Sequence, residues 1–374
     1  MSKLNLERIE LSEIEMPLKA PFRTSFGTSL KRRILLVRVF DRDGAWGIGE
    51  CTAPEEPFFN HETIDTAWII IRDFVAPILK EFPHISAADV ETHLGPIRGN
   101  RMAIGGVEAA VWELEARKLG IPLWQHLGGT QTTTNCGVSI GLQESPDILL
   151  EKVTREVESG YQRIKLKIMP GEDVVLVEKI RSHFPEIMLS VDANSAYRLD
   201  SAVELFKKLD SYGLLMVEQP LTAGDLLDHA KLQRQINTRI CLDESITSIK
   251  DAKDAIELGS CQIINIKLGR VGGHSQARAV QEVAARNGIP VWCGGMLESG
   301  IGRAHNIAMS TLPGFTLPGD VSASSRYWEE DIIDPPVLVS PAGTISVSNK
   351  PGLGFEIKED LIEHLTVRRE TIAV

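Results

Sequence analysis

Cysteine is scarce and follows no paired pattern. The 374-residue chain has five, Cys51, Cys136, Cys241, Cys261 and Cys293, an odd number with no CxxC pair. That excludes a thiolate zinc site and a complete disulfide framework, and it predicts buried free thiols in a reducing compartment. Long apolar runs are missing as well. A bilayer span needs roughly 20 apolar residues, and the best stretch, around residues 67–71, is broken by Arg72 and Asp73. The N-terminal MSKLNLER lacks the apolar core of a signal peptide. There is no basic excess: 40 Lys and Arg against 51 Asp and Glu leave a net charge of −11. A general nucleic-acid binder needs a basic face to neutralise phosphates, so that class is disfavoured. The expectation is a cytoplasmic protein with neither a membrane nor a nucleic-acid partner.

What the chain does have is a large apolar fraction, 43%, enough for a core spanning two domains. It also has a rhythm. Lys167, Asp192, Glu218, Asp243 and Lys267 follow one another at steps of 25, 26, 25 and 24 residues. Each stands at or just past the end of a short apolar run: 164–168, 187–191, 214–217, 240–242 and 263–266. A period of about 25 residues fits one strand, one helix and two loops of a (β/α)8 TIM barrel. Barrel strands are parallel, so residues at their C-terminal ends meet at one mouth. Three acids flanked by two lysines are therefore expected to converge.

The first part of the chain lacks this rhythm. Residues 4–18 and 32–40 alternate like strands, DRDG at 41–44 is a turn, and 45–50 can return as a hairpin partner. Helical patterns follow at 62–80 and 104–119; the second ends at Gly120 with Pro122 just beyond. Strands followed by helices describe a small α+β capping domain, residues 1–128. The barrel takes 129–321, with strands expected at 137–140, 163–168, 188–192, 214–218, 239–243, 262–267 and 290–294. An eighth is expected near 315–320. Residues 322–374 lose the rhythm and read as a segment returning to complete the capping domain.

The acids come first in the chemistry. Asp192, Glu218 and Asp243 offer three hard oxygen ligands with no Cys or His among them, a set suited to Mg²⁺, with Mn²⁺ or another divalent cation possible. The plain alternative is that Asp192 and Asp243 cap the helices that follow. Lys165 and Lys167 lie two residues apart on one strand and so share a face. If Leu166 packs outward, both enter the barrel, where burial and like charge are expected to lower at least one ammonium pKa. Lys267 shares a face with Asn265, and the second and sixth strands of an eight-stranded ring lie opposite each other. A carboxylate substrate on the ion could lose its α-proton to one lysine, the enediolate being stabilised by the metal. A base on each face permits racemisation, and a β-leaving group permits elimination. The snorkelling of a strand-end lysine to solvent is the alternative for each.

These residues carry a resemblance. The stretches PFRTSFG (21–27), KLK (165–167), VDAN (191–194), VEQP (217–220), LDES (242–245), IKLGRVGG (266–273), WCGGMLESG (292–300) and LPGD (317–320) resemble the muconate-lactonizing branch of the enolase superfamily. Most closely they resemble its o-succinylbenzoate synthase / N-succinyl- or N-acylamino acid racemase group, over nearly the whole chain. The resemblance implies that Asp192, Glu218 and Asp243 bind Mg²⁺, with Asn194 and Glu244 behind them. It implies that Lys167 and Lys267 are the acid/base pair and that Lys165 tunes Lys167. Loops of the capping domain would close the mouth, bringing Phe22 and Phe26 from 21–28 and Phe59 from 52–60. Ser139, Gly294, Gly295 and Met296 would contact a small-molecule carboxylate. Arg270 resembles a position of the racemase-containing subgroup, although a surface arginine at a helix start reads the same way. A homo-oligomer, dimer or octamer, is also implied.

The implied activities are o-succinylbenzoate synthesis for menaquinone, N-acylamino acid racemisation, or both. Muconate cycloisomerase and dipeptide epimerase share the lysine pair and stay open as alternatives. PGD at 318–320 departs from the Asp-x-Asp of the epimerases, and the lack of a seventh-strand His disfavours a mandelate-racemase-like base. A Schiff-base aldolase would not need three strand-end acids, and a non-enzymatic barrel would need none of the five residues.

Overall fold

The computed structural model describes every residue except Met1, Ser2, Ser25, Phe26, Pro83 and Glu172. Three antiparallel strands open the chain, Leu6–Thr24, Gly27–Asp41 and Trp46–Cys51. The turn between the last two is the expected one. Gly44 takes φ +88°, and the amide of Asp41 donates to the carbonyl of Ala45 at 2.8 Å. The last strand of the chain, Thr366–Ala373, pairs antiparallel with the first, Arg8 opposite Ala373. The resulting four-stranded sheet is packed by the helix Arg101–Leu119, which is buried along nearly its whole length. Close approach is possible because Gly47 and Gly49 have no side chain: a Cβ on either would strike the helix backbone at Ala110 or Gly106.

The expected helix over 62–80 starts at Ile64, after a Thr63 cap, and is interrupted by a π turn at Ile71–Val75. Pro77 has no N–H to give the carbonyl four residues back and its ring crowds that carbonyl, so the wider turn just upstream relieves the conflict.

The second part is a (β/α) barrel built on a seven-stranded parallel sheet. Its strands are Gly137–Ile140, Arg163–Lys167, Met188–Asp192, Val217–Glu218, Ile240–Leu242, Ile263–Ile266 and Val291–Cys293. The later strands are shorter than the apolar runs suggest, the fourth most of all, where the ladder begins only at Val217 and keeps Glu218. The eighth position holds no regular strand. Residues 315–320 fill it through single bridges, Val291 to Phe315 and Cys136 to Gly319. The amide of Asp320 also donates to Cys293 and that of Gly137 to Gly319, so this segment joins the seventh strand to the first. Two prolines and two glycines in 313–320 remove donors and loosen the backbone, which accounts for the missing ladder.

All five cysteines are buried and free. Among the described residues no helix is long and apolar enough to cross a membrane.

Candidate active site

The register of the barrel sets the site. Lys167 stands opposite Asp192, and Asp192 opposite Glu218, on neighbouring strands. Lys165 and Lys167 point the same way, and Leu166 between them is buried in the apolar layer outside. The Lys167 ammonium donates to Asp192 Oδ2 at 2.5 Å and to Asn194 Oδ1 at 2.6 Å. Lys165 lies 2.8 Å from Glu218 Oε2, 3.2 Å from Asp192 Oδ2 and 2.7 Å from Asp320 Oδ2. On the sixth strand's side, Lys267 donates to Asp243 Oδ2 at 2.8 Å, with its ammonium 4.7 Å from the centre of the Phe59 ring. Neither Asp192 nor Asp243 caps a helix: Ser248 does so after the fifth strand, and no side chain does after the third.

Arg270 is not a surface residue. It is 2% exposed, pairs with Asp243, and donates from Nε to the Ile246 carbonyl at 2.8 Å. Asn194, at φ +41°, bridges Lys167 to Glu244, its Nδ2 lying 3.0 Å from Glu244 Oε1. Asn265, the neighbour of Lys267 on its face, donates to Glu218 Oε1 at 2.8 Å. Glu244 Oε2 and the amide oxygen of Asn265, Oδ1, are buried without a partner. As the side chains stand, no three acidic, His or Cys groups among the described residues are grouped to hold a metal ion. Each acid pairs with a lysine or with Arg270 instead.

Charge balance departs from the expected lowering of a lysine pKa in one respect. Burial pulls the Lys165 ammonium down, but Asp320, Glu218 and Asp192 together outweigh it and raise its pKa well above the usual value. Asp192 is held low: burial pushes it up, and Lys167 and Lys165 pull it further down. Burial raises Glu218, with Asp192 adding to the effect. Burial pushes the Arg270 guanidinium down to about 9.

A cavity of about 400 Å³ opens above these groups and is lined by Lys165, Lys167 and Lys267 together. Phe22 and Phe59 form part of its wall, and Phe22 meets Tyr327 edge-on at 6.3 Å. Ser139 lines it with a buried Oγ that has no partner. Gly295 and Met296 also line it. Gly294 does not; its Cα packs against the Asn265 side chain, where a Cβ would collide. Phe26 lies outside the described residues.

Two sequence profiles cover this architecture: the mandelate racemase / muconate lactonizing enzyme N-terminal domain over residues 8–128, and the enolase C-terminal domain-like profile over 149–361. The chain belongs to the mandelate racemase / muconate lactonizing family of the enolase superfamily. It is 50% identical to an o-succinylbenzoate synthase of Geobacillus kaustophilus, across 97% of this chain and 96% of that one. It is 45% identical to an N-succinylamino acid racemase of Thermus thermophilus, across 97% and 98%. A solved enolase-superfamily member from Listeria innocua superposes with a TM-score of 0.95 at 40% identity, covering 99% of both chains.

This member of the family has functional groups that sequence reasoning passed over. Arg163 is fully buried, with Nη2 2.6 Å from Asp320 Oδ1 and Nε 3.0 Å from the Pro318 carbonyl. Gln219, at φ +38°, accepts from the amides of Asp243 and Ser245 and locks the fourth strand's end to the fifth. The glutamine of VEQP, inside a strand-end motif, was an available signal; Arg163, at the start of the second strand, offered none.

Proposed function

We propose that the chain removes the proton α to a substrate carboxylate, acting as an o-succinylbenzoate synthase, an N-succinyl/N-acylamino acid racemase, or both. One observation carries this reading: Lys167 and Lys267 reach a single cavity from the second and sixth strands, each seated on a strand-end carboxylate.

Asp192, Glu218 and Asp243 would hold a divalent cation, Mg²⁺ or a similar hard ion. The fit rests on their oxygen-only donor set and on the unpartnered oxygens of Glu244 and Asn265 beside them. When bound, the cation supplies positive charge against the enediolate oxygens. The chain's own residues do the rest. Lys167 takes the α-proton from one face, with Asn194 and Asp192 fixing its ammonium by two hydrogen bonds. In racemisation Lys267 returns a proton to the opposite face. In dehydration Lys167 passes its proton to the departing hydroxyl while Lys267 stays cationic. Phe22 and Phe59 keep bulk water from the reacting carbon. A muconate cycloisomerase would use the same lysines. A dipeptide epimerase is disfavoured, since Asp320 is already engaged by Lys165 and Arg163 and is not free to receive a substrate ammonium.

The deciding assay offers the synthase substrate and N-succinylamino acids in parallel, with Mg²⁺ and after EDTA. Turnover of either with Mg²⁺, lost on chelation and restored by the ion, is expected. Turnover indifferent to chelation, or none on both, overturns the reading.

A further inference from the structure

Arg32 stands apart from the other charged groups around the cavity. It lies on the strand Gly27–Asp41, is 6% exposed, and lines the cavity. Other cations there are committed: Lys31, Lys165, Lys167 and Lys267 to carboxylates, and Arg303 to the carbonyls of Ser322 and Glu298. Among the described residues Arg32 forms no ion pair, and its Nε has no hydrogen-bond partner. The nearby acids have donors of their own. Glu50 accepts from the amides of Ser299 and Gly302 and from the Ser299 hydroxyl. Glu55 accepts from the amide of Arg33, and Glu298 from Asn306 Nδ2.

A guanidinium out of water and without a partner is costly. Burial lowers its pKa, and Glu50, Glu55 and Glu298 counter that only from a distance. Its planar fork suits a carboxylate held by two parallel hydrogen bonds.

We propose that Arg32 receives a second carboxylate of the substrate, distinct from the one beside the α-proton, and so selects substrates whose acyl tail is anionic. The assignment rests on the proton-abstraction reading above and adds the substrate feature that this chain recognises. The competing account is that Arg32 only balances the acidic charge of Glu50, Glu55 and Glu298.

Three compounds on one amino acid separate the two accounts: the N-succinyl derivative, its N-succinamoyl analogue with a carboxamide at the tail, and the N-acetyl derivative. The wild type is expected to prefer the succinyl compound over the succinamoyl by at least tenfold in kcat/KM. In R32Q that ratio should fall at least tenfold, mainly through a higher KM for the succinyl compound. R32K, which keeps charge but loses the fork, should fall between them. Equal losses on all three compounds in R32Q, or an unchanged ratio, overturn the proposal. If R32Q does not fold, the wild-type ratio and R32K decide, and a wild type indifferent to the tail overturns the proposal. A wild type that turns over none of the three overturns the racemase half of the functional reading, and the synthase half falls only if the synthase substrate is not turned over either. Calorimetric binding of the same compounds with Mg²⁺ then judges Arg32: tighter binding of the carboxylate tail, lost in R32Q, supports it, and equal affinities overturn it.

Discussion

The carboxylate of Asp320 lies 2.7 Å from the Lys165 ammonium, nearer than that of Asp192 at 3.2 Å. Its other oxygen is 2.6 Å from Arg163. The segment that replaces an eighth strand thus supplies the counter-charge for two buried cations. Removing one partner of a buried pair commonly costs about 3–5 kcal/mol, because the charge left behind stays out of water. Asp320→Asn is expected to lose stability of that order, read as a lower urea midpoint with an unchanged slope. A loss under about 1 kcal/mol would mean that water reaches these groups.

A second prediction concerns the capping sheet. In Gly49→Ala the new methyl would meet the Gly106 carbonyl of the helix Arg101–Leu119. Backbone cannot yield as a flexible side chain does, so the strand and helix must separate. Overpacking of this kind costs about 1–3 kcal/mol or more. Thermal denaturation should show a fall of several degrees, whereas a neutral result would place the helix farther from the sheet.

The rhythm of lysines and acids was legible because period and chemistry coincide: a strand-end residue recurs every (β/α) unit, and the site needs ionisable groups there. The five residues do meet around one mouth. The eighth unit was readable only as a position, since Phe315 and Gly319 make single bridges where a ladder was expected. The pairing of Arg163 with Asp320 was hidden for a different reason. One begins the second strand and the other ends the chain's eighth unit, 157 residues apart, and no periodicity announces a pair of that separation. Arg32 was equally silent, because an arginine in an alternating strand reads as a solvated residue. Of the Gly294–Met296 stretch expected at the substrate, Gly295 and Met296 line the cavity, and Gly294 lies against the Asn265 side chain.

Acid should weaken the join between capping domain and barrel. His305 Nε2 lies 2.8 Å from the Ile48 carbonyl, which can only accept, so that nitrogen carries the hydrogen. Its Nδ1 then accepts from His274 Nε2 at 3.0 Å, and His274 Nδ1 remains unprotonated without a partner. Both rings are buried neutral. Burial pushes His305 down to about 4; burial, reinforced by His305, Arg278 and His126, pushes His274 well below its usual value. The unfolded chain takes up these protons near pH 6.5, so stability is whole above that pH and falls as pH drops toward 4. Each group contributes up to about 1.4 kcal/mol per pH unit in that window. Glu108, pushed up to about 7 by burial, acts in the opposite sense, so the comparison must be between variant and wild type. In His274→Gln the loss of stability between pH 6.5 and 4.5, from urea midpoints, should be shallower. An unchanged slope would assign acid sensitivity to other groups.

Glu218 tests the cation site. It is fully buried, bonded to Lys165 and Asn265. Glu218→Gln keeps the shape and removes one negative charge. We expect Mg²⁺ affinity, measured by calorimetry, to fall at least tenfold, with the circular-dichroism spectrum in EDTA near that of the wild type and the thermal midpoint lowered less than in Asp320→Asn, since Lys165 keeps Asp192 and Asp320 and no second cation loses its partner. Undiminished affinity would remove Glu218 from the ligand set.

The two lysines give the sharpest expectation. Their ammonium groups enter one cavity from the second and sixth strands, so a carbon held between them has its α-hydrogen toward one lysine in one enantiomer and toward the other in its mirror image. Lys167→Ala and Lys267→Ala should each abolish racemisation of an N-succinylamino acid, by 1,000-fold or more on the order typical for loss of an acid/base group. In deuterium oxide each variant should still exchange the α-hydrogen of a single enantiomer, and the two variants should act on opposite ones. Proton NMR of the separated enantiomers reads this directly. If both variants wash out the same enantiomer, the lysines share a face, and the two-sided geometry cannot be what makes the site work.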